Sequence, residues 1–436
     1  MRPSPSARLV RPLGAIATAA VVVLLLVAGV ATAAGQPAKA RVANATEKPA
    51  AQAKKAPSTL TRCLRRARKA RSAKTRLAKR RACRLAAKRA RAARRKTLPA
   101  PPPPPPPVAN SFGADVFGVS TGGAIQNEDS TTLGRDLDSI AGTHSHWVRV
   151  DINWDQIQAG GSSSYNWAAV DRVVQGATAR GMKVLGTILY TPSWARPSGT
   201  SATYGPDPTV YSGFAATAVQ RYAAMGVHTY EVWNEPNITS FWTPKPDPAA
   251  YTRLLKAAYP AIKGADSTAT VLTGGTAPAP SDGTQIAPVD FLKGIYANGG
   301  AGSFDAVAHH PYCWPANPGD AQGWSAWYQM YGTSPSLRST MTANGDSAKK
   351  IWATEFGAPT NGPASSNPVS EATQASMLTK AYQLYRSYDW AGPLFFYQGR
   401  DAGTTTDTRE NFFGLTRYDL STKPAYTAYQ QAASAG

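Results

Sequence analysis

The chain has 436 residues, 47 of them Lys or Arg and 26 Asp or Glu, for a formal net charge of +21 at pH 7. The charge is divided unevenly: residues 1–110 hold 26 Lys and Arg and one acid, whereas residues 111–436 hold 21 and 25. The C-terminal three-quarters is therefore mildly acidic, which excludes a basic nucleic-acid-binding domain there. Three cysteines exclude a disulfide scaffold, and five histidines without zinc-ligand spacing argue against a metalloenzyme.

Residues 1–34 have the pattern of an export signal. Three arginines precede an uncharged run from Leu13 to Ala34, and Ala31-Thr32-Ala33 supplies the small residues of a cleavage site. The uncharged run is also long enough to span a bilayer, so an uncleaved signal anchor is the alternative. Both alternatives predict a secreted or extracellular protein, held at the cell surface if the anchor is kept.

Residues 35–98 combine a linker with a basic segment. Ala, Lys, Pro and Thr dominate residues 35–60, a composition typical of disorder. Residues 62–96 then hold 18 Lys and Arg and no acid, with Ala or Leu in most other positions. These residue types favour a helix, but like charges repel, so we expect a helix that forms on an anionic partner. Because export separates the chain from nucleic acid, the predicted partner is an anionic cell-wall or membrane surface.

Residues 99–110 predict a spacer. Pro99 is followed by seven consecutive prolines, Pro101–Pro107, which favour a stiff polyproline helix. This spacer separates the basic segment from residues 111–436.

Cys63 and Cys83 both lie in the basic segment. In one straight helix they would be about 30 Å apart, whereas a disulfide needs Cα atoms within about 7 Å. A bridge therefore requires a hairpin with a turn near Ser72–Thr75. Free thiols and intermolecular links are the alternatives.

Strand-like and helical runs alternate eight times from Asp115 onward, which predicts an α/β fold, a (β/α)8 TIM barrel over residues 111–436. A doubly wound open sheet is the alternative, but no glycine-rich phosphate-binding turn follows the first strand. The strand-like runs are Val116–Ser120, Trp147–Asn153, Lys183–Tyr190, His228–Glu235, Ala269–Thr276, Phe304–Tyr312, Lys350–Phe356 and Pro393–Gln398. The helical runs include Trp167–Arg180, Ala249–Lys263, Glu371–Tyr388 and one near Lys423–Ala433.

Two glutamates end two of these strands. Glu235 closes the fourth run in Asn234-Glu235-Pro236, and Glu355 closes the seventh in Thr354-Glu355-Phe356-Gly357. Catalytic residues of TIM barrels lie at the C-terminal ends of strands, and two facing carboxylates are the minimum for cleaving a glycosidic bond. The sequence therefore predicts a polysaccharide-cleaving enzyme that uses neither a metal nor a cofactor.

The alternation of side chains along a strand predicts which residues face the barrel axis. We expect Glu231 to be a structural acid of the interior. The predicted interior sets are Trp147, Arg149, Asp151 and Asn153 on the second strand; Glu231, Trp233 and Glu235 on the fourth; Ala308, His310 and Tyr312 on the sixth; and Ile351, Ala353 and Glu355 on the seventh.

These motifs resemble the retaining glycoside hydrolases of clan A, whose catalytic glutamates lie on strands four and seven. The resemblance implies that Glu235 is the acid/base, that Glu355 is the nucleophile and that Asn234 binds the sugar 2-hydroxyl. Arg149 matches an arginine on strand two that supports the nucleophile. His310-Pro311-Tyr312 resembles a His-x-Tyr pair beside the two glutamates. The resemblance covers about 320 residues and none of the first 110.

Two departures leave the family open between glycoside hydrolase families 5 and 39. Cellulase-like members of family 5 often carry a histidine at the end of strand three, where this sequence has Tyr190-Thr191-Pro192. Many clan members place a tryptophan at the end of strand eight, where this sequence has Phe396-Tyr397-Gln398. Trp194 and Trp314 lie just beyond strand ends and are candidates for stacking on sugar rings.

The predicted function is that of a secreted retaining glycosidase that hydrolyses O-glycosidic, β-1,4 bonds of a polysaccharide by double displacement. The alternative is a non-catalytic carbohydrate-binding barrel that its basic arm tethers to the cell surface. A decayed enzyme would be expected to have lost one of its glutamates, so the presence of both favours the enzyme.

Overall fold

The computed structural model describes residues 112–435, together with Ala78, Ala82 and Ala86 of the basic segment. These three alanines are helical and exposed. The predicted export signal, the linker, the polyproline spacer and the pairing of Cys63 with Cys83 lie outside the described residues and stay predictions. Within the described part, no helix has both the length and the apolar character needed to cross a membrane.

Eight parallel strands lie in one sheet that is nearly closed into a barrel, which confirms the predicted fold. The strands are β1 (Phe117–Ser120), β2 (Trp147–Asn153), β3 (Lys183–Leu189), β4 (Thr229–Asn234), β5 (Thr270–Gly275), β6 (Val307–His309), β7 (Ile351–Phe356) and β8 (Ala391–Tyr397). The helices are α1 (Ser130–Gly142), α2 (Trp154–Ile157), α3 (Ala168–Thr178), α4 (Pro208–Ala223), α5 (Pro248–Ala265), α6 (Pro288–Ala297), α7 (Ala326–Gln329), α8 (Leu337–Ala343), α9 (Glu371–Arg386) and α10 (Pro424–Ser434).

The order of the strands explains how the barrel closes. The sheet runs β5-β4-β3-β2-β1-β8-β7-β6, and two isolated parallel bridges, Leu272–Ala306 and Thr276–His309, join its two edges. At least one helix follows every strand, so all eight C-terminal strand ends open on the same side of the barrel.

The sixth strand is shorter than predicted, Val307–His309 instead of Phe304–Tyr312. Pro311 has no N–H group and cannot continue a ladder of hydrogen bonds. At the other end, the Asp305 carboxylate accepts a hydrogen bond from the backbone N–H of Val271 in β5 at 2.9 Å. The strand is therefore confined to three of the five residues between these two positions.

Aspartates set the start of several helices. Asp207 and Asp247 accept hydrogen bonds from backbone N–H groups in the first turns of α4 and α5. In both cases the next residue is a proline, whose fixed φ suits the first helical position. The Asp-Pro pairs thus mark the start of the helices that follow β3 and β4.

A separate aromatic cluster fills the barrel interior below the strand ends. Trp147, Trp352 and Phe395 are its largest members, and each is at most 7 % exposed. The ring centroids of Trp147 and Trp352 lie 5.4 Å apart at an interplanar angle of 79°, a favourable edge-to-face arrangement. This cluster closes the barrel floor, so an open cavity can form only at the C-terminal ends of the strands.

Two of the predicted interior sets are wrong in part. On β7, Trp352 and Thr354 face the interior, whereas Ile351 and Ala353 pack in the outer core between sheet and helices. On β4, Trp233 belongs to the outer core as well. The predicted sets on β2 and β6 agree with the structure at Trp147, Arg149, Ala308 and His310.

Trp352→Ala should lower the free energy of unfolding by about 3–5 kcal/mol, because it leaves a cavity in the aromatic barrel floor. Trp324 is 55 % exposed, so Trp324→Ala should change stability by less than about 0.5 kcal/mol. Chemical denaturation of both variants measures the difference. Equal stability of the two variants would contradict the assignment of Trp352 to the core.

Candidate active site

Arg149 is the centre of the site. It projects from β2, and its side chain is only 2 % exposed. Its Nε donates to Glu231 Oε2, its Nη1 to Glu355 Oε1 and its Nη2 to Asn234 Oδ1, each at 2.7 Å. Burial opposes the charge, but Glu231 and Glu355 outweigh it and raise the pKa of Arg149. A permanent positive charge therefore connects β2 with β4 and β7.

Glu231 is the structural acid of the interior, as its position on β4 predicted. It is fully buried and accepts four hydrogen bonds. Besides Arg149, the donors are Thr187 Oγ1 at 2.9 Å, the Gly275 N–H at 2.7 Å and Thr354 Oγ1 at 3.1 Å. Because its oxygens are occupied, Glu231 is not free to act on a ligand.

Glu235 and Glu355 face each other across the strand ends. One oxygen of each carboxylate and a ring nitrogen of His310 lie within 4.8 Å of one another. His310 Nδ1 is 2.8 Å from Glu235 Oε1, and the Tyr312 hydroxyl donates to Glu355 Oε2 at 2.9 Å. Such a short separation suits direct attack by a carboxylate, since a water-mediated reaction needs roughly 6.5–9.5 Å between the carboxyl groups.

Departures from regular strand geometry bring the glutamates together. Trp233 and Glu235 have positive φ angles of 73° and 47°. Trp233 therefore turns outward, where its Nε1 donates to Phe241 O at 2.7 Å, while Asn234 turns to Arg149. On β7, a shift of register between Ala353 and Phe356 lets both Thr354 and Glu355 reach the interior.

The predicted aromatic residues lie in different places. Trp314 lines an open cleft of about 640 Å³ above Arg149 and the two glutamates. Trp194 is not among the residues that line this cleft; its Nε1 donates to Gln158 O at 2.9 Å. His310 is fully buried and lies behind Glu235.

Several lining residues were not identified as site residues from the sequence. Asp151 belonged to the interior set predicted for β2, so alternation could have identified it. Tyr397 is the last residue of β8, and the others lie beyond strand ends, where side-chain direction follows no period that a sequence reveals. The lining residues include Gly122, Gly123, Asp151, Tyr190, Phe241, Trp324, Tyr397, Arg409 and Glu410.

Comparison with known proteins decides the family. The family model described as Cellulase (glycosyl hydrolase family 5) matches residues 108–391, well over half of the chain. The chain belongs to glycosyl hydrolase family 5. This assignment confirms the resemblance to the glycoside hydrolases of clan A. Among curated proteins, none matches the sequence.

Solved structures of both families resemble this family 5 hydrolase. A family 39 glycoside hydrolase from the gut symbiont Bacteroides cellulosilyticus WH2 has 25 % identity and a TM-score of 0.59, covering 74 % of this chain and 63 % of its own. The chain thus spans less than two thirds of that enzyme. GH5_18 from Streptomyces cattleya has 19 % identity and a TM-score of 0.53, covering 75 % and 80 %. A monomeric β-xylosidase from Caulobacter crescentus CB15 has 17 % identity and a TM-score of 0.52, covering 74 % and 68 %.

The electrostatics of the family 5 site distinguish its two facing glutamates. Burial raises the pKa of Glu235, and the charge of Glu355 adds to this effect, while the hydrogen bond and charge of His310 oppose it. Burial disfavours the charged form of His310, but the two carboxylates outweigh it and raise the pKa of His310. Burial also raises the pKa of Tyr312, so its hydroxyl keeps the proton that it donates to Glu355. Burial thus makes the protonated form of Glu235 more favourable than it is in water, whereas Glu355 accepts hydrogen bonds from Arg149 and Tyr312.

Gly275 leaves the space that His310 occupies. A Cβ atom at Gly275 would lie 2.3 Å from His310 Nε2 and 2.7 Å from Thr354 Oγ1. Gly275→Ala should therefore lower the free energy of unfolding by about 1–3 kcal/mol through overpacking. Gly264→Ala is the matched control, since nothing lies within 4 Å of the added atom and alanine favours its helix. Denaturant titration of both variants measures this, and equal or opposite effects would contradict the close approach of His310.

Proposed function

We propose that this family 5 hydrolase cleaves O-glycosidic, β-1,4 bonds of a polysaccharide by double displacement, with Glu355 as the nucleophile and Glu235 as the acid/base. The observation that carries the proposal is the short separation of the two carboxylates, within 4.8 Å, in unequal surroundings. Glu355 accepts hydrogen bonds from Arg149 and Tyr312. Glu235 has only His310 as its side-chain partner among the described residues.

In the first step, Glu355 attacks the anomeric carbon while Glu235 gives its proton to the leaving oxygen. The bond between the anomeric carbon and that oxygen breaks, and a glycosyl ester of Glu355 forms. The ester carries no negative charge, so the contribution of Glu355 to the raised pKa of Glu235 disappears. In the second step, Glu235 takes a proton from water, which attacks the same carbon and releases Glu355.

The other predicted site residues have supporting roles in this proposal. Asn234 is positioned by Arg149 and presents its amide to the sugar 2-hydroxyl. His310 stabilises the carboxylate of Glu235 after proton transfer. The half-buried ring of Trp314 and the exposed ring of Trp324 both line the cleft and offer stacking faces to further sugar units, which supports a polymeric substrate. Trp194 lies away from this cleft, so a contact with substrate there requires a longer glycan.

Glu235→Gln and Glu355→Gln should each nearly abolish hydrolysis of aryl β-glycosides without loss of the fold. Azide should then distinguish the roles. With Glu235→Ala, it should restore turnover and give β-glycosyl azide, because the nucleophile survives. With Glu355→Ala, it should give the α-azide by direct displacement. The control is Glu371→Gln, whose carboxylate pairs with Arg417 at the start of α9; near-normal activity in either active-site Gln variant would refute the assignment.

We propose further that the chain is secreted and held at the cell surface by its basic arm, residues 62–96. The 18 positive charges of this segment have no acidic counterweight, and three of its alanines are helical. An anionic cell-wall or membrane surface is the partner that this charge fits, with no dedicated nucleic acid partner. Binding of this kind releases counterions and therefore weakens as salt increases.

Co-sedimentation with cell-wall material tests the arm. The chain from residue 35 should pellet at low salt and be released between roughly 50 and 500 mM salt, whereas a chain from residue 110 should stay in solution. Equal retention of the two chains, or retention that salt does not change, would contradict the proposed tether.

A further inference from the structure

One carboxylate in the cleft has no role in the reaction described above. Asp151 projects from the C-terminal end of β2, two residues beyond Arg149, and lines the cleft. The backbone oxygen of Asp151 is bonded to Gln126, but its side-chain oxygens have no hydrogen-bond or ion-pair partner among residues 112–435. Burial raises the pKa of Asp151 to about 6, with Glu355 and Glu231 adding to the effect and Arg149 opposing it.

Asp151 is half-buried in the wall of this open cleft. A carboxylate that is partly withdrawn from water normally finds donors in its surroundings. Glu231, which also lies in the barrel interior, accepts hydrogen bonds from four donors. The side chain of Asp151 has no such donor in the described part of the chain. A ligand in the cleft can supply the missing donors.

The surroundings of Asp151 leave room for such a ligand. A Cβ atom at Gly123 would lie 3.2 Å from Asp151 Oδ2, so glycine there keeps the space beside the carboxylate open. Tyr190, at the end of β3, also lines the cleft, and the charge of Asp151 acts on its phenol. The Tyr190 hydroxyl has no hydrogen-bond partner among the described residues either. Two unpartnered polar groups from adjacent strands thus face the same space.

Asp151 lies close to the proposed nucleophile. It is two residues beyond Arg149 on β2, and Arg149 donates to Glu355 at 2.7 Å; the charges of Arg149, Glu355 and Glu231 all act on Asp151. In a double displacement, the side of the nucleophile holds the glycosyl unit that becomes bound to the enzyme, and the leaving group lies on the side of the acid. Two cations line the cleft in the described part of the chain, and both are already paired: Arg149 donates to Glu231, Glu355 and Asn234, and Arg409 pairs with Glu410 at 3.0 Å.

We propose that Asp151 is a specificity-determining residue that accepts hydrogen bonds from two adjacent ring hydroxyls of a neutral glycosyl unit, with the Tyr190 hydroxyl beside it as a further partner. The inference rests on the proposed function. A carboxylate binds a pair of neighbouring hydroxyls through its two oxygens. A uronic acid unit is disfavoured at this position, because its carboxylate would face Asp151 and Glu355 without a free cation.

The test combines variants of the full chain with deoxygenated substrates. The probe is whichever of the 4-nitrophenyl β-glycosides of glucose, xylose and mannose the wild type cleaves fastest, with analogues that lack one of its ring hydroxyls at C-2, C-3 or C-4. In the wild type, loss of either of two adjacent hydroxyls should lower kcat/KM roughly tenfold to hundredfold. Asp151→Ala should lower it to a similar extent on the parent glycoside. In the Asp151→Ala variant, the same deoxygenations should then lower kcat/KM by less than about threefold.

Stability provides a second readout that needs no substrate. If Asp151 awaits a ligand, Asp151→Asn removes an unpaired charge, and Tm should rise by roughly 2 °C. The control variant for the substrate experiment is Asp155→Asn, since Asp155 pairs with Arg196 and does not line the cleft. In this variant, each deoxygenation should lower kcat/KM by the same factor as in the wild type.

The outcomes separate this inference from the proposed function. A wild type that cleaves the parent glycoside, with deoxygenation costs that Asp151→Ala leaves unchanged, overturns the role of Asp151 alone. A fall of several degrees in the Tm of Asp151→Asn also overturns it, because the carboxylate then supports the fold. A wild type that cleaves none of the three glycosides and no polysaccharide overturns the proposed function and this inference with it.

Discussion

A buried positive charge holds the C-terminal end of this barrel together. Withdrawing the Arg149 guanidinium from water is costly unless its N–H groups meet acceptors of good geometry. Glu231, Glu355 and Asn234 meet that need at 2.7 Å each. They come from β4 and β7, which are not neighbours of β2 in the sheet. The contacts therefore cross the barrel interior and fix the distance between strands that backbone hydrogen bonds do not join.

The arrangement of acceptors around Arg149 requires departures from regular strands. A regular β4 would present Glu231, Trp233 and Glu235 to the interior and turn Asn234 away. The positive φ at Trp233 exchanges the directions of Trp233 and Asn234. Asn234 then reaches Arg149, and Trp233 packs against Trp242 with 5.6 Å between the ring centroids. Backbone conformations of this kind are unfavourable for residues other than glycine, and they persist where packing and function over-determine them. The stabilisation of Arg149 and the outer packing of Trp233 both favour the irregular backbone.

The same features explain what the sequence could and could not predict. Runs of apolar residues and the Asn-Glu-Pro motif were sufficient to predict the eight strands, the barrel and the two facing glutamates. These features depend on local sequence patterns and on the regular alternation of strands and helices along the chain. Alternation predicted Arg149 and Glu231 correctly on regular stretches. It placed Trp233, Ile351 and Ala353 on the wrong face, since a left-handed residue and a shift of register are properties of the folded backbone. Trp324 and Glu410 lie in loops after β6 and β8, where no periodicity indicates which side chains line the cleft.

In the proposed reaction, the sharing of Arg149 between two carboxylates also bears on the reactivity of Glu355. A carboxylate that forms an ester loses its negative charge. If Glu355 were the only partner of Arg149, their ion pair would therefore stabilise the ground state more than the transition state. Here the Arg149 charge is divided, because Glu231 accepts from Nε and is itself held by Thr187, Gly275 and Thr354. When Glu355 is esterified, Arg149 still has a full counter-charge in Glu231 and is not left unpaired in the interior. Glu231 thus lowers the cost of neutralising Glu355. A buried acid whose oxygens are bonded within the protein therefore has a direct part in the energetics of the proposed reaction.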